Sequence, residues 1–330
     1  ERFYKTQKSI GKIKEKEDFK TLLTNLLEFH RREIKSDWWL YFSRQDYDLQ
    51  DHFNDMDAIG GLDFIENFED EKKGTIWRYS YPDQDFRLKE ADSIYNTADL
   101  KSIGSISDVN LSKKTIDIKI SRFKKSKSLP LYLNIATNRP INNKPLQDAV
   151  YRFAHSIINK DKKYLSTYEL LNINQPKLNK NKKISDIVEY RDSAQEIYFI
   201  CKNLDKSYLF LQGPPGTGKT FLIAKVIFNL LKNGKKIAIT SNSHKVIHNL
   251  LDRIEENALN EKFEYKGLKK SSSSNKDSKY ETANIKSLDK ILDIKETQLL
   301  AATRFELAKD TYDQVFDFIF IDEAGQISIA

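Results

Sequence analysis

The chain has 330 residues, of which 39% are hydrophobic and 31% are charged, a composition typical of a soluble globular protein with room for two or three domains. It contains no run of about 18 apolar residues, so the sequence predicts no membrane span. The single cysteine, Cys201, excludes disulfides within the chain and cysteine-based metal sites, and it favours a reducing, cytoplasmic location.

The net charge of +7 is unevenly distributed. Residues 101–190 hold 18 Lys and Arg against 7 Asp and Glu, a net +11, whereas residues 1–100 carry a net −6. The basic segment is where we expect a polyanion to bind. A lysine- and asparagine-rich composition that produces only solvated faces explains the charge equally well, so charge alone leaves both interpretations open.

Apolar residues recur at helical spacing over residues 18–30 and, most clearly, over 143–160, so both ranges predict amphipathic helices. Two adjacent tryptophans, Trp38 and Trp39, follow several basic residues. Tryptophans beside cations could stack on bases, but adjacent tryptophans more often divide between a core and an interface. We therefore favour a packing role for this pair.

Between Gly74 and about Ile120 the hydrophobic period changes to two, which is typical of strands. The apolar positions that share a strand face are Trp77, Tyr79 and Tyr81, and then Ile116, Ile118 and Ile120. Short strands joined by polar turns predict a small β-barrel. The basic stretch 121–127 follows, either as a phosphate contact or as a solvated loop.

The most specific motif is Gly213-x-x-x-x-Gly218-Lys219-Thr220, a complete Walker A pattern. An apolar run at 208–211 predicts a buried parallel strand before it, and an apolar stripe predicts a helix after it. The glycines allow backbone N–H groups and the helix N-terminus to point at phosphate. Lys219 is expected to reach the β- and γ-phosphates of ATP, and the Thr220 hydroxyl to hold Mg²⁺. The candidate nucleotide-binding residues of this loop are Gly213, Pro215, Gly216, Thr217, Gly218, Lys219 and Thr220.

Strand, polar loop and helix then repeat, as in an α/β unit. The predicted strands lie at 236–240, 298–302 and 316–321. Residues 256–290 interrupt this order, and their serine-rich part, 269–275, predicts a mobile low-complexity loop. The sequence therefore predicts an α/β fold with a parallel sheet and one insertion.

The last predicted strand ends in Asp322-Glu323, a Walker B pattern. Asp322 is expected to hold Mg²⁺, and Glu323 to orient or deprotonate the attacking water. Ligands of parallel α/β sheets bind at the carboxyl ends of the strands, so the Walker A and Walker B loops should meet there. We expect Lys219, Asp322 and Glu323 to be the catalytic residues.

The full set of motifs resembles superfamily 1 helicases, in particular the branch that includes the RNA-surveillance helicases and the Okazaki-fragment nuclease–helicases. The resemblance is carried by Gln195, the Walker A string from Gln212, Thr240 to Lys245, Thr303, and Asp322-Glu323-Ala324-Gly325-Gln326. Residues 30–39 and Gly60-Gly61-Leu62 are similar to bacterial members fused behind a RecB-like nuclease domain. The resemblance is strong from residue 190 onward and moderate before it.

The resemblance implies residue roles that the motifs alone do not give. Gln195 matches the residue that reads the adenine edge, and Gln326 the position that links the nucleotide to the nucleic-acid groove. The implied contacts to the single strand are Ser241, Asn242, Ser243, His244, Lys245 and Thr303. The implied cofactors are ATP and Mg²⁺.

The resemblance also implies four parts. A helical segment (1–70) precedes a small accessory β-barrel (71–130), stalk helices with the Gln195 helix (131–205), and a RecA-like P-loop NTPase lobe (206–330). The sequence stops just after the Walker B motif, so by this resemblance we expect it to lack the second RecA-like lobe with its arginine fingers. No nuclease motif is present either. Both ends look cut, and a second lobe and an upstream nuclease domain are the expected partners.

These features predict the N-terminal motor part of an ATP-dependent helicase that moves along single-stranded nucleic acid. DNA is favoured over RNA, and 5′→3′ polarity is implied by the resemblance alone. Three alternatives stay open: an RNA helicase, an AAA+ remodelling ATPase, and a nucleic-acid-binding module whose P-loop is only a structural switch. The AAA+ class does not account for Gln195 or for the string from Ser241 to Lys245, and a pure binder has no need of Glu323.

Overall fold

The computed structural model describes residues 1–70, 74–120, 128–137, 139–179, 193–214, 216–272 and 275–328. The chain forms two compact units, Arg31–Asn142 on the one hand and Glu1–His30 with Asn143–Ala330 on the other. Within the described ranges, none of the helices has both the length and the apolar character needed to cross a membrane. The predicted division into four parts stays a prediction.

Unit Arg31–Asn142 is built on a closed barrel of six antiparallel strands in the order β1-β2-β5-β4-β3-β6. The strands are β1 (Ala58–Asp70), β2 (Gly74–Ser80), β3 (Ser93–Asn96), β4 (Ser102–Asn110), β5 (Thr115–Ile120) and β6 (Tyr132–Ala136). Irregular registers, such as the one between Phe64 and Glu66, bend the strands enough to close the barrel.

The alternating apolar residues fill the barrel interior. Tyr79, Ile116 and Ile118 are completely buried there, in line with their period-two spacing. Gly104 lies where β4 approaches β5 so closely that a Cβ would clash with the carbonyl oxygen of Lys119. A side chain at this position would therefore push β4 away from β5.

Two short helices, α3 (Lys35–Ser43) and α4 (Leu49–Asn54), belong to the same unit. Tyr41 and the half-buried Trp38 of α3 pack with Ala58, Tyr95 and Ala136. The predicted packing role is therefore observed for Trp38, whereas Trp39 is 68% exposed.

Buried Arg44 follows α3 and makes polar contacts to three residues that are distant in sequence. Its guanidinium donates to Asp55 Oδ2 at 2.7 Å, to the Tyr95 hydroxyl at 2.8 Å and to the Thr137 carbonyl at 3.0 Å. These bonds join the segment after α3 to β3 and to the end of β6.

In the second unit, four helices pack around one apolar cluster. They are α1 (Arg2–Ile10), α2 (Glu17–Glu33), α5 (Lys144–Asn159) and α6 (Leu165–Leu171). Helices α2 and α5 confirm the two amphipathic helices predicted at 18–30 and 143–160. Leu23 and Ala154, one from each helix, are completely buried in this cluster.

The rest of this unit is a five-stranded parallel sheet in the order β11-β7-β10-β8-β9. The strands are β7 (Ile237–Thr240), β8 (Gly267–Lys270), β9 (Ile285–Leu288), β10 (Leu299–Ala301) and β11 (Phe318–Ile321). The helices are α7 (Ser193–Asn203), α8 (Lys219–Lys232), α9 (His244–Asn260) and α10 (Arg304–Leu307). Strands β7 and β10 are buried on both faces, as parallel strands require.

The strand predicted at 208–211 is not formed. This segment is irregular, and Phe210 is 68% exposed. Strand β11 is an edge strand of the sheet, and among the described strands it pairs with β7 alone. An apolar run becomes a strand only when a neighbour accepts and donates its ladder hydrogen bonds, and none of the described strands does so here.

The segment 256–290 also differs from the prediction, because it extends the parallel sheet by two strands, β8 and β9. Lys269, predicted to be mobile, is fully buried in β8, and Ser278 is fully buried at the end of the short 3-10 helix Lys276–Ser278. The Ser278 hydroxyl accepts from the Ser272 N–H at 2.7 Å and donates to the Asn275 carbonyl at 2.5 Å. Residues 273 and 274 of the predicted loop, and the basic stretch 121–127, lie outside the described residues.

Candidate nucleotide and nucleic-acid site

The loop at Gly213–Thr220 has the backbone that its glycines predict. Gly216 and Gly218 adopt left-handed conformations, with φ of 80° and 79°, which side chains rarely tolerate. A Cβ at either position would meet no atom within 4 Å, so both glycines face open space. Gly218 directly precedes α8, whose first-turn N–H groups make the helix N-terminus suited to an anion. Pro215 lies outside the described residues.

Lys219, the first residue of α8, folds back over this loop. Its ammonium donates to the carbonyls of Gly213 at 2.6 Å and Pro214 at 2.8 Å. The Thr217 hydroxyl donates to the same Pro214 carbonyl at 2.9 Å. The loop is thus a compact turn that holds the Lys219 ammonium at its centre. This positive charge is complementary to that of a phosphate group.

The Walker B residues lie beside this loop because β11 continues the sheet in register with β7. Ile321 is opposite Thr240, and the Asp322 N–H donates to the Thr240 carbonyl at 3.0 Å. Asp322 Oδ2 lies 3.5 Å from the Thr220 hydroxyl. The two residues are 102 positions apart in the chain, and the sheet brings their side chains together.

Glu323 lies just beyond this pair and is exposed. Its backbone is left-handed, with φ of 54°, and its N–H donates to Asp322 Oδ1 at 3.0 Å. A non-glycine residue in this conformation is uncommon, and such strain is found most often at functional sites. The Asp322 carboxylate is therefore oriented on one oxygen by the backbone while its other oxygen faces Thr220.

The Thr220 hydroxyl and the Asp322 carboxylate are hard oxygen ligands, the type that Mg²⁺ prefers. Within the described residues no group of three or more His, Cys, Asp or Glu side chains could hold a metal. The pair therefore fits an ion that is held by one carboxylate and completed by phosphate oxygens and water.

The two glutamines assigned through the family resemblance are both exposed. Gln195 lies in the first turn of α7, a helix that packs against α8. Gln326 lies in the short turn after Glu323, whose carbonyl accepts its N–H at 2.9 Å. Neither glutamine side chain makes a hydrogen bond among the described residues, so the structure leaves their assigned roles untested.

The segment after β7 leads directly into α9. The Ser243 hydroxyl caps this helix by accepting from the Val246 N–H at 3.2 Å. Asn242 and Lys245 are exposed, whereas Ser241 is buried with its hydroxyl unpartnered among the described atoms. Of the six residues predicted to contact the nucleic acid, Asn242, Ser243 and Lys245 are exposed, His244 and Thr303 are half-buried, and Ser241 is buried.

His244, the first residue of α9, accepts a hydrogen bond at Nδ1 from the buried Lys269 ammonium at 3.0 Å. Lys269 also donates to the carbonyls of Lys270 at 2.8 Å and Ser278 at 3.2 Å. Burial, followed by the charge of Lys269, lowers the pKa of His244 to about 4. Burial, followed by the charge of Lys270, lowers the pKa of Lys269 to about 8, so near neutral pH an ammonium donates to a neutral imidazole.

A cavity of about 270 Å³ brings His244 and Thr303 together, although they are 59 positions apart. Both lie just after the carboxyl ends of parallel strands, β7 and β10. The remaining residues that line the cavity are Pro145, Lys270, Ser271, Ser272, Phe305, Glu306 and Lys309.

Cations and hydroxyls predominate among the polar side chains of this cavity. Lys270 is half-buried, and the exposed Lys309 donates to Glu306 at 2.6 Å. The sequence patterns do not single out Lys270, Ser271 and Ser272 as site residues, because their serine-rich context predicts a mobile loop. The only signal for them was the run of lysines and hydroxyl residues itself.

Residues 175–328, just under half of the chain, match the family described as the Type III restriction enzyme, res subunit. A stretch of 130 residues is 31% identical to the DNA replication ATP-dependent helicase/nuclease DNA2 of Saccharomyces cerevisiae (strain ATCC 204508 / S288c). That match covers 38% of this chain and 8% of the yeast protein, so the chain spans far less than two thirds of that relative. The two similarities, together with the parallel sheet and the Walker loops, support a helicase-type ATPase.

Proposed function

We propose that this chain is the N-terminal motor part of an ATP-dependent helicase or translocase, and that it couples ATP hydrolysis to movement along single-stranded nucleic acid. In this proposal the sheet with its flanking helices is the first RecA-like lobe, and the barrel is an accessory domain. The chain would work with a second RecA-like lobe and, in the whole protein, with a nuclease domain.

The observation that carries the proposal is the shared edge of the parallel sheet. The Thr220–Asp322 pair and the cavity that joins His244 to Thr303 both lie at carboxyl ends of strands in one sheet. Strand β7 leads to His244, and its Thr240 is opposite Ile321 of β11, which leads to Asp322. A conformational change at the bound nucleotide would therefore reach the residues that contact the nucleic acid through β11 and β7, two hydrogen-bonded neighbours in the sheet.

Bound Mg-ATP would supply the phosphoanhydride bond and the charge of the metal. The residues of this chain would bind and orient it. The loop N–H groups and Lys219 would hold the phosphates, Thr220 and Asp322 the ion, and Glu323 would accept a proton from the attacking water. Lys219 would have to release its two loop carbonyls to reach phosphate oxygens, which have the higher negative charge.

We favour DNA over RNA as the bound single strand, and 5′→3′ as the direction of movement along it. Support for DNA comes from the similarity to a protein named as a DNA replication helicase/nuclease and from the resemblance of residues 30–39 to nuclease-fused helicases. The polarity is supported by the family resemblance alone.

The test is a fluorescence titration with single-stranded DNA, single-stranded RNA and duplex DNA at two salt concentrations, with and without a Mg-ATP analogue. We expect single strands to bind in preference to duplex, with an affinity that responds to the nucleotide and falls at high salt. Tighter binding of DNA than of RNA is also expected. Nucleotide binding without any single-strand binding, or ATP-dependent hexamers, would contradict the proposal and favour an AAA+ ATPase.

A further inference from the structure

Helix α3 presents an aromatic face that the proposed motor chemistry does not use. Trp39 is 68% exposed, and its neighbours Phe42 and Leu40 are 51% and 42% exposed. On the other side of the helix, Tyr41 is 3% exposed and packs with half-buried Trp38 against the barrel. The ring of Trp39 therefore contributes little to holding α3 on the barrel.

Two cations lie against the rings of this helix. The Lys35 ammonium is 5.0 Å from the centroid of the Trp39 ring, and the Arg139 guanidinium is 5.8 Å from that of Tyr41. Both cations are exposed, and across the described ranges neither has a carboxylate partner. The Lys35 charge is therefore available to an anion that approaches the exposed Trp39 ring, whereas Tyr41, the ring beside Arg139, is buried.

The helix surface around Trp39 carries no acidic group. Residues three and four positions away on an α-helix are neighbours on its surface, and here they are Lys35, Ser36, Phe42 and Ser43. Asp37 is two positions from Trp39 and so lies on a different face. On α3 itself the residues nearest to Trp39 by helical spacing are thus a cation, two serines and Phe42, and the Phe42 ring stacks on that of Trp38 with 5.5 Å between centroids.

We propose that Trp39, with Lys35 beside it, is a stacking platform for a base of single-stranded nucleic acid, outside the motor cavity. This inference rests on the proposed function, because it assumes that the chain binds a single strand. An exposed ring accepts the face of any base, and the adjoining cation attracts the phosphate that accompanies it.

A second protein is a weaker occupant for this face. A stable protein interface involves on the order of 20–30 residues a side, with a continuous apolar core. Here the exposed apolar side chains of α3 are only three, and a cation, Lys35, lies 5.0 Å from the ring centroid of one of them, Trp39. That combination matches a strand of bases and phosphates better than it matches an apolar protein surface.

The test compares Trp39→Ala with Leu40→Ala in a titration of labelled single-stranded DNA. Because a stacked base contributes about 1–3 kcal/mol, Trp39→Ala should weaken binding by about 5- to 140-fold. Leu40→Ala removes a neighbouring exposed apolar side chain that has no ring, and it should leave the affinity unchanged. Trp39→Phe should retain part of the affinity, and Lys35→Ala should lower the slope of log K against log salt by about one.

Tryptophan emission gives an independent readout. The chain has three tryptophans, of which Trp77 is 9% exposed and Trp38 half-buried. Single-stranded DNA should therefore quench mainly Trp39, and Trp39→Phe should abolish most of that quenching. Thermal melts of all variants would check that the barrel stays folded.

Each contrary result has a distinct meaning. Wild-type affinity in Trp39→Ala, or equal losses in Trp39→Ala and Leu40→Ala, would overturn the stacking platform and leave the proposed function standing. If the wild-type chain dimerises and the Trp39→Ala variant does not, this face binds a second copy of the chain. That result would also overturn the stacking platform. A wild-type chain that binds no single strand would overturn both proposals.

Discussion

The hydroxyl of Thr220 lies 3.5 Å from Oδ2 of Asp322, across 102 positions of sequence. Thr220 is in the first turn of α8, and Asp322 directly follows β11. The pair therefore depends on the position of β11 beside β7 in the sheet. Two oxygen-bearing side chains from two separate motifs converge at this point, as the proposed magnesium site requires.

The first prediction concerns the metal dependence of nucleotide binding. Thr220→Ala removes one oxygen ligand, so the Mg²⁺ concentration needed for half-maximal binding of an ATP analogue should rise about tenfold or more. Asp322→Asn should have a larger effect, because it also removes the negative charge. Thr220→Ser keeps the hydroxyl and is the matched control. Equal metal dependence in Thr220→Ala and the wild type would show that this hydroxyl does not hold the ion.

The second prediction separates hydrolysis from binding. Glu323→Gln should bind Mg-ATP with wild-type affinity, because Glu323 is exposed and makes no contact with the loop carbonyls that hold Lys219. Loss of a general base should slow single-turnover hydrolysis by about 10²–10⁴-fold. The variant should therefore retain unhydrolysed ATP on a filter.

Lys219→Ala is the companion variant, and it should lose nucleotide affinity itself. If Glu323→Gln hydrolyses ATP at the wild-type rate, Glu323 is not the base. If the Glu323→Gln variant does not bind ATP, Glu323 acts in nucleotide binding.

Local motifs could be predicted from the sequence, whereas pairing between distant segments could not. The strands predicted at 236–240, 298–302 and 316–321 are confirmed, because each is defined within a few residues. The apolar run at 208–211 looked equally like a strand, but whether it pairs depends on a neighbour that its own residues do not specify. Local patterns therefore identified elements but not their partners.

The residues at the cavity show the same limit of prediction from local sequence. Lys269 belongs to a serine-rich stretch, yet its register between β10 and β9 buries it completely. Composition describes average solvation, and it contains no information about which strand a segment joins. The contact between Lys269 and His244 follows from the strand order and was therefore not predictable from either residue.

The third prediction concerns the stability of the barrel unit. Arg44→Ala leaves Asp55, the Tyr95 hydroxyl and the Thr137 carbonyl without their donor. Arg44 is 1% exposed, and removing one member of a buried ion pair costs about 3–5 kcal/mol. Urea unfolding followed by barrel tryptophan emission should show this loss.

Lys101→Ala is the control for Arg44→Ala in the same unit. It breaks the exposed pair with Asp99, and it should change the free energy of unfolding by about 1 kcal/mol or less. Similar effects of the two substitutions would mean that the contacts of Arg44 add little to stability.

The last prediction is a pH dependence that arises from His244. Its pKa is about 4 in the folded chain, below the ordinary value near 6.5, because burial and the Lys269 charge disfavour the imidazolium. His248 and Lys270 act in the same direction, and Asp277 opposes them. The unfolded chain therefore binds the proton first, so the stability from neutral His244 is complete above pH 6.5 and is lost as the pH falls towards 4.

His244→Asn tests this assignment, because an asparagine carbonyl can accept the Lys269 ammonium but does not titrate in this range. Between pH 6.5 and 4 the variant should lose less unfolding free energy than the wild type. His155→Asn, at an exposed position of α5, controls for the removal of an imidazole and should follow the wild-type curve. If His244→Asn loses as much stability as the wild type, the acid sensitivity of this unit arises from other groups, either carboxylates or His248, whose pKa burial also lowers, and the contact between His244 and Lys269 has no part in it.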